Sequence, residues 1–193
     1  MLSLEDGKRL IGLARDAISS VFKRIELKVD EKFKEEYNEK KGVFVTLKED
    51  GELRGCIGFP EPVHEMWKAV VEAARAAAFG DPRFPPLKKE EEIQIELSVL
   101  TKPERVKVKN PEEYLKKIRI GKDGLIIRAG VFSGLLLPIV AVEYDWNAEQ
   151  FLRHVCMKAG LTMDAWRTPS HQIYKFQTQV FAEENGRIVE KMG

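Results

Sequence analysis

The sequence predicts an α+β protein, with a mostly antiparallel sheet and flanking helices. Three observations carry that expectation. Amphipathic helical stretches alternate irregularly with hairpin-like segments, the βαβ rhythm of a parallel sheet is missing, and two tight-turn signals, Asp50-Gly51 and Gly121–Gly124, sit between β-prone runs. A chain of 193 residues suits a single domain, with room for two closely packed subdomains. Neither an internal repeat nor a low-complexity tract divides it.

Taken in order, Ser3 with Asp6 three residues on reads as a helix start, and Leu10, Leu13, Ala14, Ala17, Ile18 and Val21 form one stripe of the helix that follows. The charge-dense run DEKFKEEYNEKK reads as an exposed loop or short helix with a solvated face. GVFVTLKEDGELRGCIGF is a hairpin about Asp50-Gly51. Glu61 to Phe79 is the clearest helix, with Val63, Met66, Trp67, Val70, Ala74 and Ala77 on one stripe and Gly80 at its end. FGDPRFPPL is a proline-stiffened loop. The next segment, EIQIELSVL, alternates as a half-buried strand with Ile93, Ile95, Leu97 and Val99 on one face.

Asn110-Pro111-Glu112-Glu113 combines a cap, a first-turn proline and acids at the positive end of a helix dipole. GKDG is expected to turn a hairpin between IRI and LIIRA, and Pro138 argues against a regular central strand in GLLLPIVAVEY. Asn147 with Gln150 starts a helix through Gly160 that buries Phe151, Leu152, Val155, Cys156 and Ala159. IYKFQTQVF alternates as one closing strand.

Lys plus Arg number 32 against 31 for Asp plus Glu, so the net charge of +1 supplies no global attraction to nucleic acid or to an anionic membrane. The longest apolar stretches fall well short of the ~20 residues of a membrane span, and the acidic MLSLEDGKRL does not read as a signal peptide. A soluble cytoplasmic protein with reduced Cys56 and Cys156 is the expectation. The three histidines lack metal-ligand spacing, and no metal site is expected.

The segment LRGCIG holds the most chemistry. Alternation along a strand puts Arg54 and Cys56 on one face, where a guanidinium favours thiolate over thiol. With a two-residue turn, Leu47 and Val45 lie opposite them; a bulge would shift those partners but leave Arg54 and Cys56 on one face. Gly55 and Gly58 mark close approach of a ligand or of another backbone. The residues leave two readings open: Cys56 as a nucleophile beside an anion-holding Arg54, or a packed cysteine with Arg54 paired to Glu49, Glu52 or Glu96. Asp81 and Arg83, stiffened by Pro82 and Pro85, form either a rigid binding loop or a local salt-bridged turn.

LRGCIG, followed by FGDPRFPPL, EIQIELSVL, GKDGLIIRAG, GLLLPIVAVEYDW and FLRHVCMKAGL, resembles the AMMECR domain family from about Leu10 to Phe181. The resemblance implies an α+β fold of two unequal lobes around a cleft, with Arg54, Gly55, Cys56, Ile57 and Gly58 as the candidate site. It brings no established reaction and leaves any cofactor unknown. It associates the chain with Memo-like and radical SAM proteins in a modification pathway, and leaves a homo-oligomer open. Two functions compete: an enzyme or enzyme subunit using Cys56, or a binding module that holds a peptide, a small anion or a partner enzyme through Arg54.

Overall fold

The computed structural model describes residues 1–192, with side chains through Lys191. Helices and antiparallel strands form two compact units, the larger comprising Met1–Leu100 and Gln179–Lys191 and the smaller Thr101–Thr178. Each has its own sheet and apolar core.

The larger unit begins with α1 (Leu4–Lys23), whose capping box is complete: Ser3 accepts from the Asp6 N–H while Asp6 accepts from the Ser3 N–H. Ser3→Ala is expected to cost about 1 kcal/mol, read as a fall in the urea midpoint at unchanged slope. Leu10, Leu13, Ala14, Ala17 and Ile18 are buried as the periodicity requires, whereas Val21 is exposed on the last turn. The charged run holds a short helix α2 (Glu31–Glu36), and the solvated face expected there has one correction: Tyr37 is fully buried, its hydroxyl donating to Asp6 Oδ1 at 2.8 Å. A phenol that finds a carboxylate can bury its ring without stranding its oxygen.

Strands β1 (Gly42–Glu49) and β2 (Glu52–Phe59) form the hairpin, with both turn residues left-handed, Asp50 at φ 50° and Gly51 at φ 84°. Helix α3 (Met66–Phe79) starts five residues later than Glu61, which leaves Val63 exposed, and it ends at Gly80 as expected. Strand β3 (Gln94–Leu100) pairs with β1, and β8 (Thr178–Glu184) and β9 (Arg187–Met192) complete a five-stranded sheet in the order β2-β1-β3-β8-β9. Val43, Val45 and Leu47 of β1, with Ile95, Leu97 and Val99 of β3, pack on α1 and α3 in one core.

The smaller unit holds β4 (Glu104–Arg105), α4 (Glu113–Lys117), β5 (Gly124–Ala129), β6 (Phe132–Leu136), α5 (Pro138–Glu143), α6 (Ala148–Lys158) and β7 (Gln172–Phe176). Its sheet runs β4-β7-β5-β6. The Asn147–Gln150 capping box forms, and α6 buries Phe151, Leu152, Val155 and Cys156. Pro138 occupies the first turn of α5, where its missing N–H costs nothing.

Four expectations need correction. The Asn110 start yields only the five residues of α4. GKDG does not turn a hairpin, because Ile118 to Ile120 form no strand; β5 instead returns through Gly130-Val131 to β6, Ala129 facing Phe132. IYKFQTQVF is two strands, β7 and β8, in different sheets. The final strand β9 was not anticipated from the sequence.

Candidate functional site

Hairpin register decides what LRGCIG presents. Glu49 faces Glu52 and Lys48 faces Leu53, but the next pair is Leu47 with Gly55, so Arg54 is an extra residue bulged out of the ladder. The bulge breaks the alternation that placed Arg54 and Cys56 on one face. Gly55 and Ile57 now oppose the buried Leu47 and Val45, on the side that packs against the helices, while Cys56 opposes Thr46 and Gly58 opposes Phe44.

Arg54 is almost fully buried, and its guanidinium makes a bidentate ion pair with Glu91, Nε to Oε2 at 2.6 Å and Nη2 to Oε1 at 3.1 Å. Glu91 also accepts from the Lys88 N–H at 2.7 Å, four residues after Leu87 joins the core. Arg54 therefore fastens the 87–91 segment to the strand. The acid is Glu91 rather than Glu49, Glu52 or Glu96. This pair raises the Arg54 pKa and lowers that of Glu91, in both cases chiefly through the hydrogen bond between them.

The cation beside Cys56 is Arg83. β2 is an edge strand, so half of its backbone groups lack a ladder partner. At Cys56 the proline-stiffened loop supplies them: Asp81 Oδ2 accepts from the Cys56 N–H at 2.9 Å, and Arg83 Nη2 donates to the Cys56 carbonyl at 3.2 Å. One acid and one arginine stand in for a neighbouring strand. Because both backbone groups of Cys56 point outward, it forms a non-hydrogen-bonded pair with Thr46, the type whose side chains lie closest. Accordingly, Thr46 Oγ1 donates to Cys56 Sγ at 3.2 Å.

Asp81 is buried and takes four hydrogen bonds, from the Cys56 N–H, the Arg83 N–H, Arg83 Nε and Arg83 Nη2. The Arg83 guanidinium first, then the backbone donors, hold its carboxyl far below the usual carboxylate range. Arg83 is itself raised, most by Asp81, with the Cys56 thiol also contributing. Half of the Arg83 side chain remains exposed, so the guanidinium that spans Asp81 and Cys56 still meets solvent.

The folded pKa values of Asp81 and Glu91 both lie below their unfolded values. Their stabilisation is fully present above the unfolded carboxylate range near about 4 and is lost as pH falls through the folded values. The urea midpoint is expected to fall steadily below about pH 4, and to fall less steeply in Arg83→Ala, where Asp81 has lost its main source of depression.

The two glycines answer to protein groups. A Cβ at Gly55 would stand 2.2 Å from the Ala77 carbonyl oxygen of α3, and one at Gly58 would stand 2.3 Å from the Val43 carbonyl and 2.5 Å from the Phe44 ring. What sequence reasoning missed is Thr46, the neighbour of Cys56, with Glu96 opposite it on β3 and bonded to Lys48. Alternation in VTLK is the only local signal, and it needs the register to be useful. Cys156 is wholly buried and burial pushes its thiol up to about 11, which fits the packing role expected of it. Among the described residues no cluster of His, Cys, Asp and Glu is arranged to hold a metal ion, and no helix is long and apolar enough to cross a membrane.

A family model described as AMMECR1 matches residues 11–181. The chain belongs to the AMMECR1 family. Among AMMECR1-family relatives, protein MK0488 of Methanopyrus kandleri is 53% identical, covering 95% of this chain and 91% of its own. Protein MJ0810 of Methanocaldococcus jannaschii is 48% identical over 99% and 98% of the two chains. In three dimensions the chain matches the crystal structure of PH0010 from Pyrococcus horikoshii with a TM-score of 0.89 and 43% identity, covering 98% of each. The α+β expectation thus holds at the level of family and fold. The LRGCIG hairpin and the GDPR loop both fall within the matched segment.

Proposed function

We propose that the AMMECR1 hairpin is a thiol site in which Cys56 is the nucleophile or covalent carrier of an enzyme or enzyme subunit, and Arg83 orients an anionic substrate at it. One observation carries this reading: the thiol of the partly buried Cys56 receives a hydroxyl donor from Thr46 while the exposed guanidinium of Arg83 is anchored to the same residue's carbonyl. A donor and a cation are what an anionic sulfur, or an oxyanion formed against it, requires. Arg54 supports the site from behind by fixing the bulge. Both arginines are paired through Nε and Nη2 to an acid, but the Arg54 side chain is buried against Glu91 while half of Arg83 meets solvent, and that burial argues against an anion anchor at Arg54. The partners that suit a carrier thiol are the Memo-like or radical SAM proteins the family resemblance implies.

The test is alkylation of the native protein, resolved at each thiol by mass spectrometry. Iodoacetamide is expected to modify Cys56 in the folded chain and to reach Cys156 only after unfolding. Equal protection of both thiols until denaturation would remove the nucleophile from the account.

A further inference from the structure

We infer that the smaller unit carries a second, independent site, for a small organic oxyanion bearing phosphate or carboxylate groups. A cavity of about 350 Å³ opens there, within the ~300–1,000 Å³ range of small-molecule sites. Its charge is one-sided. Arg105, Lys107 and Lys109 all line it, and no carboxylate does among the described residues. The three cations come from RVKVKN, an extended segment continuing β4, in which Val106 is buried and Val108 half-buried while the alternate cations are exposed. Their charges are uncompensated: none of the three makes an ion pair among the described residues, and Arg105 acts on Tyr114, another wall of the cavity. An extended run that places three unpaired cations around one concavity favours an anion by simple Coulomb attraction, strengthened wherever water is displaced.

The second observation is an orphan donor. Trp166 lines the cavity and is 1% exposed, yet its indole N–H is buried without a hydrogen-bond acceptor. Tryptophan can only donate there, and a buried unpaired donor is a standing cost. The ring is held in place by the Tyr114 edge at 6.4 Å between centroids and by the Arg167 guanidinium 4.2 Å over its face. Arg167 is tied to Glu112 and Glu149, so it clamps the indole rather than competing for the ligand. The His171 ring nitrogen Nδ1 lies 2.8 Å from the Ala165 carbonyl, which fixes the ring at the cavity wall. With aromatic and proline walls and a cationic rim, the cavity suits an organic body carrying oxyanions better than a bare inorganic ion.

The experiment follows the Trp166 indole N–H signal by NMR in the full ¹⁵N-labelled chain during separate titrations with pyrophosphate, citrate, AMP and, as the uncharged comparison, adenosine. At least one of the three anions is expected to move that signal saturably with a Kd below about 1 mM, while adenosine leaves it in place. The exposed double substitution Lys107→Ala with Lys109→Ala is expected to weaken that binding about tenfold or more, with the Trp67 and Trp146 indole signals unchanged as a check on folding. A stronger response to pyrophosphate or AMP than to citrate assigns phosphate; the reverse assigns carboxylate. The inference is overturned if none of the anions shifts Trp166 saturably, if adenosine matches AMP, or if the double variant binds as the parent does.

Discussion

Gly55→Ala is expected to destabilise the larger unit by about 3 kcal/mol, the upper end of what overpacking usually costs. The new methyl group would meet the Ala77 carbonyl oxygen at 2.2 Å, and the obstacle is backbone on both sides, so no side-chain rotation relieves it. Either α3 must lift from the hairpin or β2 must bend, and both disturb Val45, Leu47 and Ala77 in the same core. Gly12→Ala supplies the comparison: it sits in α1 with nothing within 4 Å of the added carbon, and removing a helical glycine should stabilise by about 0.5–1 kcal/mol. Opposite shifts of the urea midpoint in the two variants are the expected result. A Gly55→Ala protein as stable as the parent would mean that α3 does not press on the hairpin as described.

Asp81→Ala should be comparably damaging, at about 3 kcal/mol, for a different reason. The carboxylate gathers four donors in a buried position, and its loss strands the Cys56 N–H at the sheet edge while freeing Arg83. Asp81→Asn keeps one acceptor oxygen but gives up the charge and adds a donor among donors, so it should recover only part of the loss. Faster hydrogen exchange at the Cys56 amide in both variants, with α1 amides unchanged, would locate the effect at the edge rather than in the core. An Asp81→Ala protein that kept parental stability and parental protection at Cys56 would contradict the edge-capping role.

The parts of the fold legible in the sequence are those set by a few neighbouring residues. Ser3 with Asp6, Asn147 with Gln150, and Asp50-Gly51 each specify their geometry within four residues, and each formed as expected. Alternation in EIQIELSVL was also reliable, because one face of β3 is buried along its length. What failed depended on distant partners. IYKFQTQVF alternates without a break, yet the Gln177 carbonyl accepts from the Thr101 N–H and the chain changes sheets there. The GKDG segment looks like a turn, but Asp123 is drawn inward to Arg119, with the Arg119 N–H and side chain both donating to it.

The candidate site shows the same division. Cys56 and the GDPR loop stood out by composition, whereas their arrangement hinged on a single bulge. Placing Arg54 outside the ladder required Glu91, 37 residues away, and no pattern within LRGCIG announces that partner. The same slip exchanged Val45 for Thr46 as the neighbour of the thiol, replacing an apolar wall with a hydrogen-bond donor. In the smaller unit, alternating cations in RVKVKN were visible as residues, but the cavity they line is closed by Trp166 and Pro169 from far along the chain.

The central claim is that Arg83, not Arg54, is the cation serving Cys56. The most direct test is the ratio of Cys56 alkylation rates with iodoacetate, which is anionic, and iodoacetamide, which is neutral. The ratio should fall severalfold in Arg83→Ala and remain at the parental value when the buried pair is replaced together by Arg54→Gln with Glu91→Gln, which removes both charges while retaining a hydrogen bond. A ratio unaffected by Arg83→Ala but collapsed by the double replacement would contradict the account and return the anion-orienting role to Arg54.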